Sequence, residues 1–218
     1  MMIGGGGYAL PRYLEAVYPA SQIDVLELDP QVTAISYQRL GLRRATRIRS
    51  HNGDARALIR EWPEARTFDL VYGDAFDDLS MPYHLTTVEF LRLVRELLVD
   101  DGVYLANVID NVAGHGRVVG AFVRTFREVF PHVYLLRWGP YDPRAIETLV
   151  VVGAKQPLDL RAVREHAPMW EQPGRTFASD VIEGPELEEI LARSAAPVLS
   201  DDYAPVDQLA APLFVLRG

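Results

Sequence analysis

The stretch Met1-Met2-Ile3-Gly4-Gly5-Gly6-Gly7-Tyr8-Ala9-Leu10, with Ile23-Asp24-Val25-Leu26-Glu27-Leu28-Asp29-Pro30 after it, decides the fold. A short apolar strand runs into four glycines. Leu10 to Tyr18 then reads as a helix, with Pro11 tolerated in its first turn. Ile23 to Leu28 reads as a second strand. Asp29 is suited to cap the next helix and Pro30 to open it, which carries the helix to Leu40. Strand, glycine turn, helix and strand in that order open a parallel βαβ unit.

Outward from this unit the same alternation continues. Thr46–Ser50, Phe68–Tyr72 and Val103–Val108 read as strands, and helices are expected up to Trp62 and over Thr87–Leu98 and Arg117–Phe130. An Asp101-Gly102 turn is expected ahead of Val103. Val133–Trp138 and Thr148–Gly153 read as a hairpin that closes the sheet. The predicted class is α/β: a Rossmann-like, doubly wound, mostly parallel sheet with a C-terminal β-hairpin. Residues 1–155 form this domain. Residues 156–218 change pattern, to short helices near Leu158–His166 and Pro185–Arg193 and an irregular stretch, Ser200–Asp207. They are expected to form a cap packed on the sheet domain.

Composition narrows the partners. The chain has 218 residues, 49% of them hydrophobic and 24% charged, enough apolar material for one substantial core. Its formal net charge is -8 and its Lys and Arg are dispersed. Such a surface repels nucleic acid and attracts a small cation. Cysteine is absent, so disulfides, thiolate metal sites and a Cys nucleophile are excluded. No metal is expected. No apolar run approaches the roughly 20 residues that cross a bilayer, and no signal-peptide pattern opens the chain. The expected location is the cytoplasm, away from membranes.

Three signals point to a nucleoside ligand. Gly4, Gly5 and Gly6 let a ligand approach main-chain N–H groups with no Cβ in the way. Glu27, about 20 residues beyond the turn and at the end of the second strand, suits the ribose hydroxyls. Asp54, within Gly53-Asp54-Ala55 after the third strand, can accept the exocyclic amine of adenine while capping the next helix. Gly4-x-Gly6-x-x-Ala9 also fits a dinucleotide fingerprint, so a nicotinamide cofactor stands as an alternative. Gly53-Asp54-Ala55, the acid-rich loop after Asp74 and the closing hairpin favour an adenosyl-sulfonium ligand.

These residues resemble the spermidine synthase (polyamine aminopropyltransferase) family. The resemblance runs from Gly4 to about Val152, with an echo at Asp201–Leu209. It rests on Gly4-Gly5-Gly6 with Arg12, Leu26-Glu27-Leu28-Asp29-Pro30, Gly53-Asp54-Ala55 and Phe68-Asp69-Leu70-Val71. Gly73-Asp74-Ala75-Phe76-Asp77, Leu85-Thr86-Thr87-Val88-Glu89-Phe90 and Asp101-Gly102-Val103-Tyr104 extend it. It implies a class I S-adenosylmethionine methyltransferase-like fold, with residues 1–155 holding S-adenosylmethionine or its decarboxylated form as co-substrate. Glu27 then holds the ribose, Asp54 with Ala55 the adenine, and Asp74 stands at the reaction centre as the base for the attacking amine. Asp77 matches a second acid beside the acceptor. The chemistry agrees, because an amine attacks as a neutral nucleophile and a carboxylate in reach must take its proton. His84 is a further candidate base, with a structural role in its loop as the alternative. A homodimer is implied by the family alone.

Three departures shape the functional reading. The family usually carries an Asp after its three glycines, placed on the amino group of the decarboxylated donor, and here the position is Gly7. Trp138-Gly139-Pro140-Tyr141-Asp142-Pro143 replaces the family's Pro-Thr-Tyr-Pro gate loop. Only three residues precede Gly4, so the family's N-terminal β-hairpin domain has no counterpart in this sequence. Aminopropyl transfer to a polyamine is the leading expectation. Methyl transfer to a small amine, and nucleoside binding without turnover, are the alternatives.

Overall fold

Alternation along the central strands sends neighbouring residues to opposite faces of one sheet. Met2, Val25 and Tyr72 face one way, into a core with Tyr8, Ile23, Leu42 and Ile48. Ile3, Leu26 and Val71 face the other way, into a larger core with Phe90, Tyr104, Val119 and Phe126. The computed structural model describes residues 1–75, 81–112, 114, 116–138, 146–162 and 179–216. Its strands are β1 (Met2–Ile3), β2 (Asp24–Glu27), β3 (Arg49–Asn52), β4 (Phe68–Gly73), β5 (Leu98–Asp110), β6 (His132–Trp138), β7 (Glu147–Ala154) and β8 (Ser179–Ile182). The helices are α1 (Ala9–Val17), α2 (Pro30–Gln38), α3 (Ala55–Arg60), α4 (Val88–Leu97), α5 (Arg117–Arg127), α6 (Gly184–Ser194) and α7 (Val206–Leu216).

The sheet order is β3-β2-β1-β4-β5-β7-β6-β8. Neighbours from β3 to β5 are parallel, and β7, β6 and β8 join antiparallel. Leu14 of α1 and Tyr37 of α2 pack on one face, whereas α3, α4 and α5 bury Ile59, Phe90 and Val119 on the other. This is the doubly wound arrangement, and its order reverses between β1 and β4. That crevice is where ligands of such sheets bind.

Most helix starts follow side-chain chemistry. Asp29 accepts the Gln31 N–H at 2.7 Å, Asp54 the Ala57 N–H at 2.9 Å and Thr87 the Phe90 N–H at 3.3 Å. Asp110 serves α5 from the end of β5, taking the Val119 N–H at 2.8 Å. Burial pushes this carboxyl up, against the backbone N–H groups that pull it down.

The structure shifts two expected boundaries. The third strand spans Arg49–Asn52 instead of Thr46–Ser50. The Glu15 carboxylate on α1 accepts from Thr46 Oγ1 at 2.9 and 3.0 Å and from the Arg47 N–H at 2.6 Å, which ties that stretch to α1. Asp101-Gly102 lies inside β5, where pairing with β4 jumps from Phe68–Leu98 to Leu70–Val103, so the expected turn is an irregularity within one long strand. Beyond residue 156 the chain adds the edge strand β8 and the helices α6 and α7. Leu187, Ile190, Leu199, Val206, Ala210 and Leu213 from this region share the larger core. No helix among the described residues is long and apolar enough to cross a membrane.

Candidate active site at the carboxyl edge of the sheet

The strand registers bring the candidate residues into line. Ile3 is level with Leu26 and Gly73, Leu26 with His51, and Gly73 with Ala106. One step further on lie Gly4, Glu27, Asn52, Asp74 and Asn107, all at the carboxyl edge of the parallel strands. Backbone bonds hold this row: Gly4 N–H to the Leu26 carbonyl at 2.8 Å, Asp74 N–H to that of Ile3 at 2.8 Å, Gly53 N–H to that of Glu27 at 2.9 Å.

Two of the glycines are required by what surrounds them. Gly4 has φ +95°, and a Cβ there would meet the Asp74 carbonyl oxygen at 2.5 Å. At Gly5 a Cβ would lie 2.9 Å from both Glu27 Oε2 and the Tyr8 ring. The turn therefore closes directly on the two acids the sequence singled out. Gly7 is different, since its nearest neighbour would be Leu40 Cδ1 at 3.7 Å. Nothing steric keeps a side chain out of that position.

Glu27 is buried, at 8% exposure, and its carboxylate braces the turn. Oε2 accepts the N–H groups of Gly5 at 2.8 Å and Gly6 at 3.2 Å, while Oε1 accepts that of Asp29 at 3.0 Å. Oε1 keeps one lone pair for a sugar hydroxyl. The longer Gly6 bond is the one a second hydroxyl would replace. Tyr8 supports the turn from beneath. It is fully buried with φ +56°, and its hydroxyl lies 3.1 Å from both Thr33 Oγ1 and Ser50 Oγ. Asn52 Nδ2 donates to Thr33 Oγ1 at 2.8 Å and to the Glu27 carbonyl at 3.2 Å, joining Tyr8 to the acid.

Asp54 has two partners. Oδ1 caps α3, and Oδ2 lies 2.7 Å from His84 Nε2. Burial opposes the ionised form, but the Ala57 N–H and the His84 ring outweigh it and hold the carboxyl below the usual carboxylate range. Each oxygen keeps a free lone pair, so an amine can still be accepted. Ala55 is buried at the start of α3. His84 thus sits against Asp54, and its ring is engaged there.

Asp74 is exposed at the end of β4, and Asn107 Nδ2 donates to its Oδ1 at 2.8 Å. Asn107 Oδ1 is buried and has no hydrogen-bond partner among the described residues. Tyr72 on the same strand is pushed up to about 12, first by burial and then by the charge of Asp74, so it stays a neutral phenol. Asp77 lies outside the described residues, as do Asp78 and residues 139–143 of the segment that replaces the gate loop. Among the described residues no three His, Asp or Glu side chains are placed to hold a metal ion.

Asn107, Tyr8 and Asn52 are site residues that the sequence reading did not single out. Asn107 had a visible signal, an amide inside the apolar strand Val103–Val108. The others act through partners far away in sequence, which no local pattern reveals.

The strand order, the glycine turn and the row of acids define an α/β nucleotide-type scaffold of the class I methyltransferase-like kind. Residues 1–141 match the spermine/spermidine synthase domain, and the chain belongs to that family. It is 28% identical over 213 residues to the polyamine aminopropyltransferase of Vibrio vulnificus (strain CMCP6), covering 96% of this chain and 69% of that protein. It is 27% identical over 145 residues to the mouse (Mus musculus) eEF1A lysine and N-terminal methyltransferase, covering 63% of this chain and 20% of that protein. Its fold is similar to the crystal structure of a probable spermidine synthase from Corynebacterium glutamicum ATCC 13032, with a TM-score of 0.75 at 23% identity, over 94% of this chain and 72% of that one. The relatives include aminopropyltransferases and methyltransferases, and the scaffold is that of a transferase.

Proposed function

We propose that the protein transfers an aminopropyl group from decarboxylated S-adenosylmethionine to a small cationic amine of the polyamine type. The observation that carries this reading is the alignment of Gly4, Glu27 and Asp74 in one row at the sheet's switch point, with Gly4 packed on the Asp74 backbone. In this reading residues 1–155 hold the donor and residues 156–218 cap it. Glu27 takes the ribose, Asp54 and Ala55 the adenine, and the turn at Gly5 and Gly6 the sulfonium side.

Asp74 then acts as the base. The amine nitrogen forms a bond to the propyl carbon on sulfur, the C–S bond breaks with its electron pair left on sulfur, and the proton passes to Asp74. The sulfonium charge is lost during transfer, so positioning contributes more than attraction for the cation. Asn107 supports this assignment twice. Its amide N–H fixes one Asp74 oxygen, and its Oδ1, unpaired among the described residues, is a buried acceptor suited to an amine N–H. Asp77 is kept as the second acid beside the acceptor, and the enzyme as a homodimer by the family's pattern.

A second reading, methyl transfer from S-adenosylmethionine, is favoured by Gly7. The acid that selects the decarboxylated donor is missing, and the space is open to a carboxylate. Supplying each donor separately with a small diamine and identifying the nucleoside by-product separates the two. Methylthioadenosine is expected, adenosylhomocysteine would establish the second reading, and neither would leave a binding module. Asp74→Asn is expected to lower kcat by about 10²–10⁴-fold with donor affinity retained. An unchanged kcat would remove Asp74 as the base.

A further inference from the structure

We infer that Asp201, in the C-terminal segment, is a positioning residue for recognition of the adenine ring, acting through Arg56 and His84 on Asp54. The inference rests on the nucleoside reading above and extends it to a residue of the capping segment to which that reading assigns no role of its own. The segment Asp201–Leu209 echoes the family pattern, yet it lies far from the carboxyl edge in sequence.

The chain of contacts is continuous. Asp201 grips the Arg56 guanidinium with both oxygens, Oδ1 to Nη1 at 2.7 Å and Oδ2 to Nη2 at 2.6 Å. Arg56 is 7% exposed and sits in the first turn of α3, two residues after Asp54. The same Nη1 donates to the His84 carbonyl at 3.0 Å. His84 Nε2, in turn, lies 2.7 Å from Asp54 Oδ2. A closed circuit results: Asp54 to Arg56 through the helix, Arg56 to the His84 backbone, and the His84 ring back to Asp54.

Asp201 is itself held in place. Thr87 Oγ1 donates to its Oδ1 at 2.7 Å, and its own N–H donates to Glu89 Oε2 at 3.0 Å. Thr87 caps α4, so the segment is fixed to the start of that helix and to α3 together.

The purpose follows from what a carboxylate needs to read a base. The α3 cap fixes only Oδ1 of Asp54, which leaves the group free to swing about that bond. The His84 contact fixes Oδ2, so the plane is set and the two remaining lone pairs point in defined directions. Bidentate guanidinium–carboxylate pairs are planar and directional, which suits a brace better than a single contact does. Without Asp201 the guanidinium loses its anchor, the His84 backbone loses its donor, and Asp54 loses its second restraint.

The test is discrimination between bases, which a merely structural role would leave alone. Dissociation constants for 5′-methylthioadenosine and 5′-methylthioinosine are measured by titration calorimetry on the full chain. The two probes differ at the 6-position, where only adenine offers an amine to Asp54. Wild type is expected to prefer the adenosine form, and Asp201→Asn to reduce that preference about tenfold, the scale of one hydrogen bond to a charged group. Should Asp201→Asn fail to fold, His84→Ala reads the same circuit, its side chain being 32% exposed. An unchanged ratio in both variants, even with a lower melting temperature, overturns the inference and leaves the donor reading intact. Equal affinity of wild type for both probes overturns it as well. Wild type binding neither probe removes the donor reading and this inference with it.

Discussion

At the scale of single residues, each position in the row has a distinct expected signature. Gly4→Ala drives a Cβ against the Asp74 carbonyl, where backbone on both sides leaves nothing to yield. Loss of activity is expected even if the protein folds, and retained turnover would mean that the turn does not rest on Asp74. Gly7→Asp is the opposite case, an addition into open space. It restores the family's acid and is expected to shift the ratio of kcat/KM toward the decarboxylated donor by about tenfold, the worth of one charged hydrogen bond. Asn107→Ala separates positioning from binding. The donor dissociation constant is expected to stay, while kcat drops about 10–100-fold because Asp74 loses the side-chain tether from Asn107. A change in donor affinity without one in kcat would contradict that role. Glu27, Asp54 and Asp74 were legible in the sequence because each lies at or within two residues of a strand's carboxyl end. Their tethers were not legible. Asn107 meets Asp74, His84 meets Asp54 and Tyr8 meets Thr33 only through strand order and helix packing.

At the scale of elements, helix packing against the larger face can be tested at one close crossing. A Cβ on Gly120 of α5 would lie 2.5 Å from the Ser194 Cβ and 2.1 Å from its Oγ at the end of α6. Alanine is the better helix former by about 1 kcal/mol, so propensity alone favours Gly120→Ala. Overlap with a carbon fixed to the α6 backbone decides otherwise, and a net loss of about 1–3 kcal/mol in urea unfolding is expected. Adding Ser194→Gly should restore part of it, whereas equal losses in single and double variants would rule out the steric cause. Phe126, 1% exposed and stacked on Tyr104 at 5.3 Å, is the anchor of the same helix. These elements were readable because α5 has a 3.6-residue apolar period and β5 a period of two. Boundaries set by distant partners were not: Glu15 on α1 moves the start of β3. The edge strand β8 follows a stretch with no alternation to announce it, and its partner β6 lies more than 40 residues upstream by the pairing of Leu135 with Ile182.

At the scale of the whole molecule, the Arg56–Asp201 pair joins segments 145 residues apart, so its strength bears on the cooperativity of the entire chain. The Arg56 hydrogen bonds hold the Asp201 carboxyl below its ordinary range, with burial opposing and Thr87 assisting. A carboxyl lowered in the folded state stabilises fully above the unfolded value of about 3.9 and loses that contribution as pH falls through the lower folded value. Asp201 is 43% exposed and partly screened by water, which places the expected cost of Asp201→Asn at pH 7 near 1–2 kcal/mol, below that of breaking a fully buried pair. Asp110 acts with the opposite sign. Burial raises its folded value, so its contribution is complete below about pH 4 and is lost as pH rises through that raised value. Urea unfolding of wild type, Asp201→Asn and Asp110→Asn at pH 7, 5 and 3 separates the two slopes. The gap between wild type and Asp201→Asn is expected to close toward pH 3 and below. A gap that stays constant into acid would show that the bridge contributes through shape, with the charge of Asp201 playing no part.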